Sequence, residues 1–343
     1  MSDTVVQSFR HMQSAHCESG VTASLVTHAG VQLSEPMAFG IGAGMFFAYL
    51  PLVRMHGLPL FTFRMFPGAI FNRVARQMRI PVRSARYRDK QRAADDLDRI
   101  LNRGMPVGLQ VGAFWLPFFP PRLRFHFNAH NLIAYGRKGD DYLISDPCFA
   151  HTVECPARSL LKARFSPGLL TPRGRLYYID GPIPQPDWRK MARAGARRVE
   201  LLMSRPVHPV PWFGVSGIRH VARLVPAWPK RHGMDTARQL LGQMIRMQEE
   251  IGTGGAGFRF LFAAFLQEAG GHMRDAAGWE KAAERFVSAG DAWREFASSG
   301  AAICRVEVPT EAMFADTGAI LARVAELEMG AFIALRAALE QRD

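Results

Sequence analysis

His16-Cys17-Glu18-Ser19-Gly20 opens a segment, Val21 to His28, that reads as helix, with Gly30 as its stop. A cysteine in the first turn of a helix sits at the positive end of the helix dipole. That position favours thiolate over thiol, and the thiolate is the nucleophile. The cytosolic look of the chain makes a catalytic cysteine more attractive than a disulfide. An arbitrary cysteine is most often a small buried hydrophobe. Here a distant second segment supplies the partners that chemistry would need.

That segment runs from Phe125-His126-Phe127-Asn128-Ala129-His130 through Arg137-Lys138-Gly139 to Asp146-Pro147. It reads as a β-hairpin with His130 at its start and Asp146 at its end. A three-residue loop, Arg137 to Gly139 with Gly139 left-handed, is a common closure. It pairs Gly136 with Asp140 and, counting outwards, His130 with Asp146. Directly paired residues share a face with Cβ atoms about 4.5–5.5 Å apart, so the carboxylate could hold the imidazole in one tautomer. A two- or four-residue loop would put them on opposite faces.

Cysteine, histidine and aspartate in that order form a triad on the papain-like plan. Cys17 is the nucleophile, His130 the base and Asp146 the orienting group. His16 and His126 are rivals. His16 adjoins Cys17, and adjacent helical side chains diverge. His126 lies further from any pairing with Asp146. Both read as structural or substrate-side groups. Gln13, just upstream, is a candidate oxyanion donor, because papain-like sites use a glutamine there. Cys148, His151 and Cys155 have close-set spacing for zinc but lack a fourth ligand nearby, so no metal is expected.

The 343 residues suggest one large or two medium domains, and 48% hydrophobic with 21% charged residues is ordinary for a folded globular protein. Cys17, Cys148, Cys155 and Cys304 are too sparse for a disulfide scaffold. Met1 to Gln13 has no apolar signal core, and the uncharged run Pro36 to Val53 falls short of the ~20 residues of a membrane span. These features point to a soluble cytoplasmic protein. Net charge is +13, and Arg54 to Arg103 holds twelve Lys/Arg against four Asp/Glu. That stretch would attract an acidic partner. The arginines are spread over both halves without a reading motif, so nucleic acid ranks last.

Phe39-Gly40-Ile41-Gly42-Ala43-Gly44 lacks dinucleotide spacing; its glycines allow close approach of a neighbour or of a bound acyl group. Phe46 to Val53, Leu58 to Phe66, Pro106 to Val111 and Leu176 to Asp180 read as strands. Phe71 to Met78 and Asp95 to Leu101 read as helical, and Arg158 to Arg175 as helix and loop. Ala113 to Phe119, which includes Trp115, and Phe61 to Phe66 are aromatic enough to line an acyl channel. Gly181 to Pro186 is linker-like. Beyond it Trp188 to Ser204, Asp235 to Ile251, Phe258 to Gly270, Trp279 to Ala297 and Thr310 to Glu340 read as helices, the first set apart by proline-rich Pro206 to Pro229. Gly252-Thr253-Gly254-Gly255, before Arg259, offers amides for an anion or forms a tight helix–helix turn; the turn is slightly favoured.

The chain resembles the butirosin biosynthesis protein H family through HCESG, LSEPMAFGIGAG, FFAYL, NRGMPVGLQV, WLPF, HNLIAYG and LISDP. EEIGTGGAGFRFLFAAFLQEAG resembles the helical domain usually fused to it. The resemblance implies an α+β papain-like fold with an antiparallel sheet over residues 14–185, then an α-helical domain over 186–343. It also implies acyl transfer. The founding member moves an aminoacyl group from an acyl carrier protein thioester to an aminoglycoside amine.

The leading expectation is therefore an acyltransferase that takes an acyl group from an acidic carrier protein through Cys17 to a small amine or hydroxyl acceptor. It needs no cofactor of its own, since phosphopantetheine arrives on the carrier. The substrate side comprises Gly42, Gly44, Trp115, His126 and Arg259. A cysteine peptidase or thioesterase with the same triad is the alternative, and a non-catalytic carrier-binding scaffold the third. Oligomeric state stays open, a homo-oligomer included.

Overall fold

The computed structural model describes residues 3–55, 57–205, 209–251 and 254–341, all but Arg122 with their side chains. Its strands are β1 (Thr4–Val5), β2 (Met45–Met55), β3 (Leu58–Arg64), β4 (Val82–Ala85), β5 (Val107–Val111), β6 (His130–Lys138), β7 (Asp141–Ser145), β8 (Val153–Pro156) and β9 (Leu176–Ile179). The helices of the first half are α1 (Cys17–His28), α2 (Glu35–Ile41), α3 (Ala69–Gln77), α4 (Lys90–Leu101) and α5 (Ala157–Arg164). Those of the second half are α6 (Trp188–Ser204), α7 (Gly214–Leu224), α8 (Trp228–His232), α9 (Met234–Glu249), α10 (Arg259–Gly270), α11 (Ala276–Arg305) and α12 (Glu311–Glu340).

The chain forms two compact units, Met1–Ala38 with Ile70–Pro186, and Phe39–Ala69 with Asp187–Asp343. This corrects the expected division into 14–185 and 186–343, because residues 39–69 leave the first unit and join the second. The basic stretch Arg54 to Arg103 is therefore divided between the units.

The first unit is an antiparallel sheet in the order β4-β9-β5-β6-β7-β8, with β1 added against β6. Alternate residues of its strands enter two cores, as a period of two requires. Leu132, Ala134, Leu176 and Tyr178 pack with Leu97 and Leu101 of α4 and Leu160 of α5. Ile133 and Tyr177 point the other way and meet Val21 and Leu25 of α1. Every residue of α1 from Cys17 to Val26 is buried, so small and apolar residues on all sides suit it to a core position.

The expected hairpin forms with a different register. Lys138 pairs with Asp141 and Gly136 with Leu143, so the connection is two residues, Gly139-Asp140. Gly139 takes φ +57°, the left-handed value a glycine tolerates. Beyond Tyr135 the register shifts by one, and Ala134 pairs with Ile144 and Ile133 with Ser145. The two-residue turn alone would have put His130 and Asp146 on opposite faces. The bulge at Tyr135 restores the shared face.

The second unit is helical with a two-stranded sheet, β2 against β3. One element inside the proline-rich stretch, α7, was not read from sequence, because glycine at 214 and 217 masks an otherwise amphipathic turn. Gly217 admits the Trp212 carbonyl, which a Cβ would meet at 2.6 Å. Phe61 and Phe63 pack here, Phe63 edge-on to Trp293 at 5.3 Å, so they belong to this core rather than to an acyl channel.

Candidate active site

Cys17 is the first residue of α1, and His16 caps that helix by accepting from the Ser19 amide. The thiol therefore stands where the sequence puts it, at the positive end of a helix. His130 is the first residue of β6 and Asp146 follows the last residue of β7. All three are buried, Cys17 and His130 5% exposed and Asp146 fully enclosed.

His130 Nε2 donates to Asp146 Oδ2 at 2.6 Å. The Cys17 thiol hydrogen-bonds the same imidazole, which leaves Nδ1 as the nitrogen facing sulfur. Burial by itself lowers the imidazole pKa. The charge and hydrogen bond of Asp146, together with the hydrogen bond and charge of Cys17, outweigh that and push it up to about 10. A protonated imidazole is thereby held against the sulfur, which is the state that keeps a cysteine as thiolate.

The turn carrying Asp146 is fixed from several sides. Asp146 Oδ1 accepts from the Cys148 amide at 3.0 Å, and its carbonyl accepts from the Phe149 amide. Ser14 donates its amide to the Pro147 carbonyl at 2.8 Å. His11 lies 2.7 Å from the Ser145 hydroxyl and 3.0 Å from the Phe149 carbonyl. Gly20 completes the fit, since a Cβ there would meet Ser14 at 2.6 Å and Pro147 at 2.8 Å. The glycine of HCESG lets α1 approach the aspartate turn.

Two carboxylates hold the segment around Cys17. Glu35 Oε2 accepts from the Ala15 amide at 2.8 Å, and Oε1 accepts from the His16 amide at 2.7 Å and the Ser19 hydroxyl at 3.0 Å. Burial raises the Glu35 pKa, opposed by those three hydrogen bonds. Glu18, buried beside Cys17, accepts from the amides of Ile70 and Phe71 at the start of α3. Neither glutamate was singled out from sequence. The available signal was a charge in an otherwise uncharged stretch, next to the nucleophile or before Pro36.

Aromatic rings wall the imidazole. Phe119 stands edge-on to His130 with centroids 5.2 Å apart, backed by Phe149 at 5.1 Å. Within Ala113 to Phe119, Phe119 is the ring that meets His130 among the described residues.

Each of the remaining expected site residues has its own surroundings. Gln13 is exposed on the lead-in to α1. His126 is exposed and stacks on Phe114 at 4.2 Å, away from the Asp146 hydrogen bond. Trp115 packs against the sheet core, with the Lys162 ammonium 5.4 Å above its ring. Gly42 and Gly44 are buried in the turn after α2 in the second unit. Close approach there is to protein: a Cβ at neighbouring Gly40 would strike Phe265 at 2.0 Å.

Arg259 is corrected outright. It is fully buried, bonded to Glu328 at 2.7 Å and to the Gly257 carbonyl at 2.7 Å, so it has no face for a substrate. Of the anion-site reading, residues 252 and 253 lie outside the described residues. The nearby Ala256 amide already donates to Glu249 at 3.0 Å. The close spacing of Cys148, His151 and Cys155 in sequence does not gather Cys148 and Cys155 in space. Cys155 is sealed in the sheet core, and Cys148 sits instead beside His130 and Asp146.

A cysteine at a helix mouth, set against an imidazole and carboxylate on an antiparallel sheet, fits a papain-like cysteine-enzyme fold. Residues 16–147 match the family described as butirosin biosynthesis protein H, N-terminal, and residues 158–335 match the domain of unknown function DUF4872. The chain belongs to the family in which these two are joined. No curated protein matches it. A solved structure from Bacillus anthracis described as a C39-like peptidase matches with 13% identity and a TM-score of 0.38, covering 53% of this chain and 100% of that one. A likeness that loose carries no argument about chemistry.

Proposed function

We propose that this protein is a cysteine-dependent acyltransferase that accepts an acyl group from a carrier-protein thioester and passes it to an amine or hydroxyl. The observation that supports it most is the Cys17–His130–Asp146 constellation, with an imidazolium held against a helix-mouth sulfur. The Cys17 thiolate attacks the thioester carbonyl, and the α1 dipole favours the oxyanion that forms there. The departing pantetheine thiolate takes the proton from His130. Thioester exchange is close to neutral in energy, so the acyl-cysteine can accumulate.

Acylation also resets the base. It removes the Cys17 charge and hydrogen bond, two of the influences that raise His130. Having given its proton to the leaving thiolate, the imidazole is then less strongly drawn to the protonated state and can take a proton from the acceptor as it attacks the acyl-cysteine. Phe119 and Phe149 exclude water beside the imidazole, which favours transfer over hydrolysis. Within the first unit, Arg86, Arg88, Lys90 and Arg92 are exposed in the connection after β4 and the start of α4. They would dock an acidic carrier, and that contact should weaken with salt. Gln13 is retained as an oxyanion donor once substrate draws it in.

Intact mass spectrometry after mixing with acylated carrier proteins tests this reading. A covalent acyl adduct lost in Cys17→Ala, and discharged faster by an added amine, is the expected result. Free acid released at a rate no amine alters would place the protein among hydrolases.

A further inference from the structure

Arg164, the last residue of α5, is 1% exposed. Its Nη1 donates to the Ala93 carbonyl at 3.0 Å and its Nη2 to the Gly174 carbonyl at 3.2 Å, while its Nε has no hydrogen-bond partner. The nearby carboxylates are already taken. Asp98 holds Arg137 and the Tyr142 hydroxyl, and Asp96 holds Arg99. Among the described residues Arg164 therefore has no carboxylate of its own. A buried charge is costly unless it is paired. Burial accordingly pulls the Arg164 pKa down to about 10, opposed by Tyr142, Tyr87, Asp98 and Asp96. The same residue lines a cleft of about 230 Å3 between α4 and α5, on the face of the sheet turned away from α1. With Asp98 matched to Arg137, the other charges of the wall are Arg158, Arg164 and Asp95, an excess of one positive charge. Ala94, Leu160 and Leu161 supply apolar surface beside them.

We propose that this cleft binds a small aliphatic monocarboxylate, which pairs with Arg164 and Arg158 and lays its short chain on Ala94, Leu160 and Leu161. A guanidinium with an unused donor takes a carboxylate through charge-assisted hydrogen bonds, which are the strong kind. One negative charge answers the excess of one positive charge. A phosphate dianion would overshoot it and would meet Asp95 and Asp98 in the same cleft. The volume is about that of seven or eight waters, which suits an acid of only a few carbons. Arg158 is exposed at the rim, so the anion has a way in from solvent. The site stands whether or not Cys17 transfers acyl groups.

Butyrate is the probe. It is titrated into the full-length protein at fixed ionic strength and followed by saturation-transfer NMR and by Tm. Saturable binding that raises Tm is expected. Neutral butyramide, of the same shape, should bind at least ~10-fold more weakly. Arg158→Gln, at the exposed rim, should weaken butyrate by about 2- to 5-fold, and Arg164→Met by at least ~10-fold. Ala94→Phe fills the cleft while leaving both arginines in place, and it should abolish binding. That variant carries the test if Arg164→Met does not fold; circular dichroism confirms which variants do. Lys230→Gln, in the second unit, should leave binding as it was. Absence of saturable butyrate binding, equal binding of butyrate and butyramide, or binding that survives Ala94→Phe in a folded protein overturns the site. Inorganic phosphate bound more tightly than butyrate overturns the assignment to a monocarboxylate.

Discussion

His130 and Asp146 are not opposite one another on the hairpin, yet they meet at 2.6 Å. Ile133 pairs with Ser145, so the residue across from Asp146 is Leu132, and His130 is its diagonal neighbour. The extra residue at Tyr135 makes this possible, because it returns the strand to the face that the two-residue turn would have reversed. Asp146→Asn should keep the hydrogen bond while removing the charge that most opposes the effect of burial on His130. The range of pH over which Cys17 is alkylated as thiolate should then narrow. Asp146→Ala should slow iodoacetamide about a hundredfold near neutrality. An unchanged pH profile in Asp146→Asn would show that the charge is irrelevant to activation.

The same ion pair sets a pH dependence of stability. The folded His130 titrates at about 10 against an ordinary 6.5. Its contribution is therefore complete below 6.5 and is lost as pH rises toward 10. The gap in urea midpoint between wild type and His130→Gln should shrink steadily over that interval. A gap constant with pH would mean that the imidazole is neutral in the folded protein.

Glu35 grips Ala15, His16 and Ser19 on the approach to Cys17. Glu35→Gln leaves one oxygen for three donors and turns an amide N–H toward another N–H. It should cost about 1–3 kcal/mol of stability and slow Cys17 alkylation as well. The second readout separates positioning from mere support, because a purely structural role would leave alkylation of the folded variant untouched.

Gly20→Ala is compatible with the helix but not with its neighbours, Ser14 and Pro147. Overpacking should cost about 1–3 kcal/mol. By pushing α1 from the turn that carries Asp146, it should also slow Cys17 alkylation at temperatures where the protein remains folded. A variant with wild-type Tm and rate would show that the turn yields freely.

Arg259→Ala should destabilise the protein by about 3–5 kcal/mol, since it strands Glu328 without a cation in a dry core. Trp293 Nε1 at 2.6 Å would be the carboxylate's remaining partner. Replacing both Arg259 and Glu328 by apolar residues should recover much of that loss. Recovery would confirm that Arg259 answers to packing.

Local signals carried the elements and the placement of Cys17, His130 and Asp146 at element ends. The boundaries of α6 and α12, the strand from Val107 and the thiol at the first turn of α1 follow from periodicity, caps and glycine stops, which act within a few residues. The order Cys17, His130, Asp146 was legible for the same reason, as each lies at the end of an element. Tertiary structure decided what depends on partners far apart in the chain. It decided that residues 39–69 pack with helices beyond residue 187, that Arg259 is neutralised by Glu328, that Glu35 holds the nucleophile turn, and that Cys148 rather than Cys155 stands beside the imidazole. A single bulged residue set the face on which His130 falls. Period-two patterning cannot locate such a bulge, because the residues on either side of Tyr135 are apolar in both registers, and only packing against α1 on one face and α4 on the other distinguishes them.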